Sequence, residues 1–158
     1  MRESELQVGP FSFRPSSSAD VALMEQCRSA DADAGPADPR MAAYLDGRHH
    51  PQQALALRTA FIALKNEVVV GYIAGHATTR LGCDGEVQYL YVTPRCRRHR
   101  VAATLLRLLA EWFSEHGIRR VCVNVDVDSH GAVPFYNACG AASLNKYWYV
   151  WEDIAVLA

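Results

Sequence analysis

The chain lacks any apolar run approaching the roughly 20 residues of a membrane-spanning helix, which excludes a span of that kind. Its five cysteines, Cys27, Cys83, Cys96, Cys122 and Cys139, contain no Cys-x-x-Cys pair, so neither a zinc knuckle nor a redox dithiol is indicated. They read as reduced, packed thiols. No charge of one sign dominates: 16 Lys+Arg stand against 17 Asp+Glu, which argues against a global nucleic-acid or membrane-surface binder. The opening MRESELQVG carries two glutamates and no apolar run, unlike a secretory signal, and a cytoplasmic protein is expected. No internal repeat, low-complexity tract or interdomain linker breaks the chain.

What is present is enough for one core. Half of the 158 residues are hydrophobic, and a chain of this size buries about 68–70% of its unfolded surface without staples. Residues 1–10 read as a flexible lead-in, followed by a single domain over 11–158. Alternation in Phe11-Ser12-Phe13-Arg14 predicts a strand, and Ser16 to Asp20 offers N-caps for a helix carrying Val21, Leu23, Met24 and Cys27. Gly35, Pro36 and Pro39 interrupt before a short helical stretch ending at Gly47. From Thr59 the pattern becomes β: TAFIAL, a turn at Lys65-Asn66-Glu67, VVVGYIAGHAT, a second turn and EVQYLYV. Val101, Leu105, Leu108, Leu109, Trp112 and Phe113 then trace one face of a helix with Gly117 at its end. A strand over RRVCVNVDV, a helix from Ala132 to Cys139 and a final strand over KYWYVWED complete the order β-α-(α)-β-β-β-α-β-α-β. Hairpins followed by a strand-helix-strand crossover predict an α/β (α+β) domain built on a mixed sheet with helices on its faces.

The most informative stretch is YLYVTPRCRRHRVAATLL, a strand, a proline stop, an arginine-rich turn and a helix start. The first amides of a helix lack internal partners and carry the positive end of the macrodipole, so such junctions hold phosphates. Arg95, Arg97, Arg98 and Arg100 would strengthen that preference; the alternative is a solvated basic loop.

Here the sequence resembles the GNAT superfamily of acyl-CoA-dependent N-acyltransferases, at motif level over about residues 86–140. The family's Leu-Tyr-Val-x-Pro strand end is matched by Leu90-Tyr91-Val92-Thr93-Pro94, and its R-x-x-G-x-G/A turn by Arg97-Arg98-His99-Arg100-Val101-Ala102, with Arg100 in place of the central glycine. The resemblance implies a mostly antiparallel central sheet with helices on both faces. It also implies an acetyl-CoA co-substrate held by the 97–103 turn (Arg97, Arg98, His99, Arg100, Val101, Ala102, Ala103), by strand residues Leu90, Tyr91 and Val92, and by Ser129. Two outcomes follow for Arg100. An ordinary negative φ with the side chain swung outward keeps the cradle and adds a cation; otherwise cofactor binding weakens.

The family's second signature, N-x-x-A-x-x-F-Y-x-x-x-G-F, is matched in register by Ala132, Phe135-Tyr136 and Gly140, while Ser129 and Ala141 depart from it. The resemblance makes Tyr136 the acid that protonates the departing thiolate; the alternative is a packed tyrosine beside Phe135.

Amine acylation also needs a group to take the ammonium proton. Glu86 matches the position of the catalytic glutamate of several family members, and a half-buried strand carboxylate suits a base; the alternative is an exposed glutamate beside Asp84. Gln88, on the same face by strand periodicity, would orient the acceptor. His49 and His50 precede Pro51 on a loop expected near the acceptor side, and are otherwise solvated. His76 and His130 have no partner visible in sequence. With no Asp, Glu or Cys at ligand spacing to the paired histidines, no metal is expected.

The expected activity is acetyl transfer from acetyl-CoA to a primary amine, on a small molecule or a protein or peptide, by direct attack in a ternary complex. The rivals are an acyl-CoA-binding domain without catalysis and, less favoured by the neutral composition, a nucleic-acid module built on RCRRHR. A homodimer is compatible with the sequence. The Trp148-Tyr149-Trp151 cluster would line an acceptor pocket or fill the core.

Overall fold

The computed structural model describes residues 5–126 and 131–158. Eight strands form one sheet in the order β1-β2-β3-β4-β5-β6-β8-β7. The strands are β1 (Leu6–Val8), β2 (Phe11–Pro15), β3 (Ala54–Lys65), β4 (Val68–Thr78), β5 (Gly85–Val92), β6 (Val121–Asn124), β7 (Ala142–Ser143) and β8 (Trp148–Trp151). The helices are α1 (Val21–Ser29), α2 (Met41–Leu45), α3 (Val101–Glu115) and α4 (Ala132–Ala138). Every pairing is antiparallel except that of β5 with β6, whose connection runs through α3. This is the mixed, mostly antiparallel sheet expected.

The sheet separates two cores because successive strand residues point to opposite faces. On one face α3 and α4 bury Leu105, Leu109, Phe113 and Tyr136 against Phe13, Ile73, Val87 and Val121. On the other, α1 and α2 bury Met24 and Met41 against Ile62, Tyr72 and Tyr91, with Tyr44 beside Ala60 and Ala74. Glycine lets α3 lie close: a Cβ on Gly75 would stand 3.0 Å from Phe113 Cζ and 2.9 Å from the Glu86 carbonyl.

Two elements differ from the sequence expectation. The segment read as a lead-in contains a strand, with Leu6, Gln7 and Val8 paired to Phe13, Ser12 and Phe11, so the domain begins before residue 11. Leu6 packs against the α3 core, a contact that three residues of weak alternation do not advertise. The final strand lies within KYWYVWED as β8, but it is preceded by an unexpected short strand, β7, with which it forms a narrow hairpin; Asn145 makes the turn by accepting from the amides of Tyr147 and Trp148 through Oδ1 at 3.0 and 3.1 Å.

Candidate functional site

The site begins where the sheet splits. Gly85, Glu86 and Val87 pair in parallel with Val121, Cys122 and Val123, and there the pairing stops. β6 instead turns toward the β7–β8 hairpin, with the Val125 amide donating to the Tyr147 carbonyl at 2.7 Å. On the other side of β5 the register shifts at the same level: Gly75 faces Val87 and Ala74 faces Tyr89, leaving Gln88 as the extra residue of a β-bulge. One inserted residue interrupts strict alternation here, so period-two spacing alone does not place Gln88 on the Glu86 face. Gln88 Oε1 is buried with no hydrogen-bond partner among the described residues.

Beyond the bulge, no described residue of β6 pairs with β5. The Thr93 amide donates to the Val70 carbonyl at 2.8 Å, and Val92, Tyr91 and Leu90 continue in register opposite Gly71, Tyr72 and Ile73. Backbone groups alternate in direction along an antiparallel strand, so those of Leu90 and Val92 face away from β4. The Val92 carbonyl accepts from Arg97 Nε at 3.0 Å.

The arginine turn adopts a backbone that only part of the sequence suggests. Arg98 has φ 67° and Arg100 φ 64°, both left-handed. Of the two outcomes set out for Arg100, the ordinary negative φ is not the one found; as the residue preceding Val101 it adopts the left-handed conformation that glycine favours. The first bond of α3 runs from the Thr104 amide to the Arg100 carbonyl at 2.9 Å, so the amides of Val101, Ala102 and Ala103 precede the ladder. Arg95, Arg97, Arg98, His99 and Arg100 are exposed, and Val101 anchors the helix start in the core.

Arg97 also reaches the α1–α2 loop, with Nη2 3.3 Å from Asp31 Oδ2, and the same oxygen accepts from Tyr91 Oη at 2.8 Å. The Tyr91 hydrogen bond is the main reason the Asp31 carboxyl lies below its usual range. Tyr89 Oη donates to Asp38 Oδ2 at 2.8 Å, so two β5 tyrosines tie down the loop over the split.

Glu86 is not half-buried but only 4% exposed. Its Oε1 lies 3.0 Å from Arg80 Nε and 3.7 Å from His76 Nε2. Arg80 in turn donates to the Gln52 carbonyl and stacks over Trp148 at 4.8 Å. His76, opposite Glu86 in the β4–β5 register, is fully buried and meets Tyr44 Oη through Nδ1 at 2.8 Å. A polar chain Tyr44–His76–Glu86–Arg80 thus crosses from α2 to the turn after β4. Sequence reasoning missed it because its members lie far apart in the chain; the one available signal was a histidine in an otherwise apolar strand.

Tyr136 is buried on α4, edge-on to Phe135 at 5.2 Å and to Trp151 at 5.8 Å. Burial pushes its phenol pKa upward, which keeps it protonated. Trp151 Nε1 donates to the Cys139 carbonyl at 3.0 Å and fixes the end of α4. The described residues do not bring His49 and His50 to Glu86. Arg58 binds the His49 carbonyl at 2.8 Å, pairs with His50 Nδ1, and lies over the Tyr44 ring at 4.6 Å. Ser129 lies outside the described residues.

A split between a bulged β5 and a parallel β6, with an anion-ready helix start at the end of β5, defines a class of protein. The chain belongs to the acetyltransferase (GNAT) family, whose model matches residues 24–141. No curated protein matches it. Among solved structures it is similar to a GNAT-family protein from Desulfovibrio desulfuricans, at 15% identity and a TM-score of 0.72, over 92% of this chain and 99% of that one. It is also similar to Ard1 from Thermoplasma volcanium, at 20% identity and a TM-score of 0.68, over 89% and 95%. A third is PaiA N-acetyltransferase from Thermoplasma acidophilum in complex with coenzyme A, at 15% identity and 0.65, over 89% and 96%. At these identities the likeness is one of fold.

Proposed function

We propose that the protein transfers an acetyl group from acetyl-CoA to a primary amine by direct attack in a ternary complex. The observation that carries this reading is the parting of β5 from β6 at the Gln88 bulge, beside the left-handed turn at the start of α3. The turn fits a diphosphate: its backbone amides precede the helical ladder and its arginines are exposed. Arg97, Arg98, His99, Arg100, Val101, Ala102 and Ala103 would hold the phosphates, and the backbone edge of Leu90 and Val92 would pair with the pantetheine amides, in place of Arg97 at the Val92 carbonyl. Ser129 is proposed from the sequence alone as a further contact.

Acetyl-CoA supplies the activated acetyl thioester; this chain supplies position and charge. The amide of Leu90, facing the split, stabilises negative charge on the reacting carbonyl oxygen. Glu86 takes the proton of the acceptor ammonium, directly or through water, and the buried, protonated Tyr136 donates to the departing sulfur. Gln88 Oε1, unpartnered and buried, accepts from the acceptor amine and orients it. His49 and His50 remain acceptor-side candidates through their loop.

A second reading, acyl-CoA binding without catalysis, is favoured by one observation: Glu86 is already paired with Arg80 at 3.0 Å. A thiol-release assay with acetyl-CoA across polyamines, amino acids, aminoglycosides, arylamines and peptide N-termini separates the two. Release that depends on one of these amines supports transfer; binding without release on any of them supports the second reading.

A further inference from the structure

His76 has no part in the scheme above, yet it is fully buried, and its Nε2 has no hydrogen-bond partner among the described residues. A ring nitrogen is not left so without cost unless its neighbour matters. That neighbour is Glu86 Oε1, 3.7 Å away. The other ring nitrogen is engaged by Tyr44 Oη at 2.8 Å. Two tautomers fit this pair. If Nδ1 carried the hydrogen, the bare Nε2 lone pair would face a buried carboxylate, which is repulsive. If Tyr44 donates to Nδ1, an Nε2–H faces the carboxylate, which is attractive. Burial keeps Tyr44 protonated and so able to donate.

We propose that His76 is a positioning residue for Glu86: Tyr44 fixes its Nε2–H tautomer, and that N–H, opposite Arg80, sets the direction of the Glu86 carboxylate. The inference rests on the reading of Glu86 as the base. The carboxylate lies between two donors, Arg80 Nε at 3.0 Å and His76 Nε2 at 3.7 Å, with Cys122 its register neighbour on β6. The groups around His76 and Tyr44 are Arg58, register partner of His76 on β3, with its guanidinium over the Tyr44 ring, and Tyr89 on β5, edge-on to Tyr44 at 5.4 Å. Arg58 also holds the carbonyls of Tyr44 and His49, so the loop carrying His49 and His50 is linked through Tyr44 to the carboxylate.

An N–H directed at a carboxylate favours its charged form, so removing the N–H moves the acidic limb of kcat/KM to higher pH. The experiment measures pH profiles of kcat/KM for acetyl transfer in wild type, Glu86→Gln, His76→Phe, His76→Gln and Tyr44→Phe. It adds nitrogen NMR of the wild-type imidazole, which reads the tautomer without any substitution. The expected result is Nε2–H at neutral pH, loss of the acidic limb in Glu86→Gln, and a limb moved up by about one pH unit in His76→Phe. His76→Gln, which still offers an N–H, restores the wild-type position, and Tyr44→Phe lowers kcat about tenfold with KM for acetyl-CoA unchanged. Full activity with an unaltered limb in Glu86→Gln would overturn the base itself. Loss in Glu86→Gln with an unmoved limb in His76→Phe would overturn only the role of His76, as would a wild-type kcat in Tyr44→Phe or Nδ1–H in the wild-type spectrum. If the His76 variants do not fold, Tyr44→Phe and the spectrum decide.

Discussion

Arg97 reaches back across the turn to Val92, its Nε 3.0 Å from the carbonyl that ends β5. One guanidinium therefore joins the two parts of the proposed cofactor site, the strand edge and the helix start, and through Asp31 it joins the α1–α2 loop as well. Arg97→Glu should weaken acetyl-CoA binding by about ten- to a hundredfold, since a charge-assisted contact is lost and a like charge is placed beside Asp31. Calorimetry at moderate salt checks it; unchanged affinity would place the cofactor elsewhere.

Tyr136→Phe removes one hydroxyl and leaves the contacts with Phe135 and Trp151. Steady-state kinetics should show kcat reduced by roughly ten- to a thousandfold at unchanged acetyl-CoA affinity. Wild-type turnover would leave Tyr136 as core packing.

Arg100→Gly tests the left-handed turn. Arginine at φ 64° carries a backbone strain of about 1–2 kcal/mol that glycine does not, partly offset by the greater freedom of glycine in the unfolded chain. The variant should raise Tm by about 2–4 °C and keep acetyl-CoA binding within a few-fold. A lower Tm would mean that the arginine side chain contributes more than its backbone costs.

Much of this site was legible before the fold was known. The strand end at Leu90 to Pro94, the helix from Val101 and the Phe135-Tyr136 register are local patterns, and local patterns survive folding. The bulge at Gln88 was not legible, because an inserted residue shows itself only against its partner strand. Nor was the pairing of His76 with Tyr44, which lie 32 residues apart. Arg100 illustrates the opposite limit: its residue type argues against the conformation that the surrounding turn imposes.

Gly75→Ala should destabilise the fold by about 1–3 kcal/mol, because the new Cβ meets backbone at 2.9 Å as well as Leu109 and Phe113 side chains at 3.0 Å. Chemical denaturation measures it. A neutral effect would show that α3 can move away from the sheet beside the bulge.

Acid should weaken the protein through Asp20 and Asp31. Arg14 hydrogen-bonds to Asp20, and Tyr91 to Asp31, and each carboxyl is held below its ordinary pKa. Groups with a depressed folded-state pKa stabilise the fold above the unfolded value of about 3.9, and that contribution is lost as pH falls through the folded value. Tm followed from about pH 6 downward should drop below about pH 4, less steeply in Asp20→Asn than in wild type. Parallel curves would remove Asp20 from the account.

The most direct measurement is a single-turnover mass balance with acetyl-labelled acetyl-CoA, enzyme in excess, and the amine that gives the fastest thiol release. Direct transfer predicts that label leaves acetyl-CoA only when the amine is present, appears in an amide on that amine, matches the free thiol formed, and never resides on the protein. Label retained on the protein would contradict direct attack, and acetyl-CoA bound but unconsumed with every amine would contradict catalysis itself.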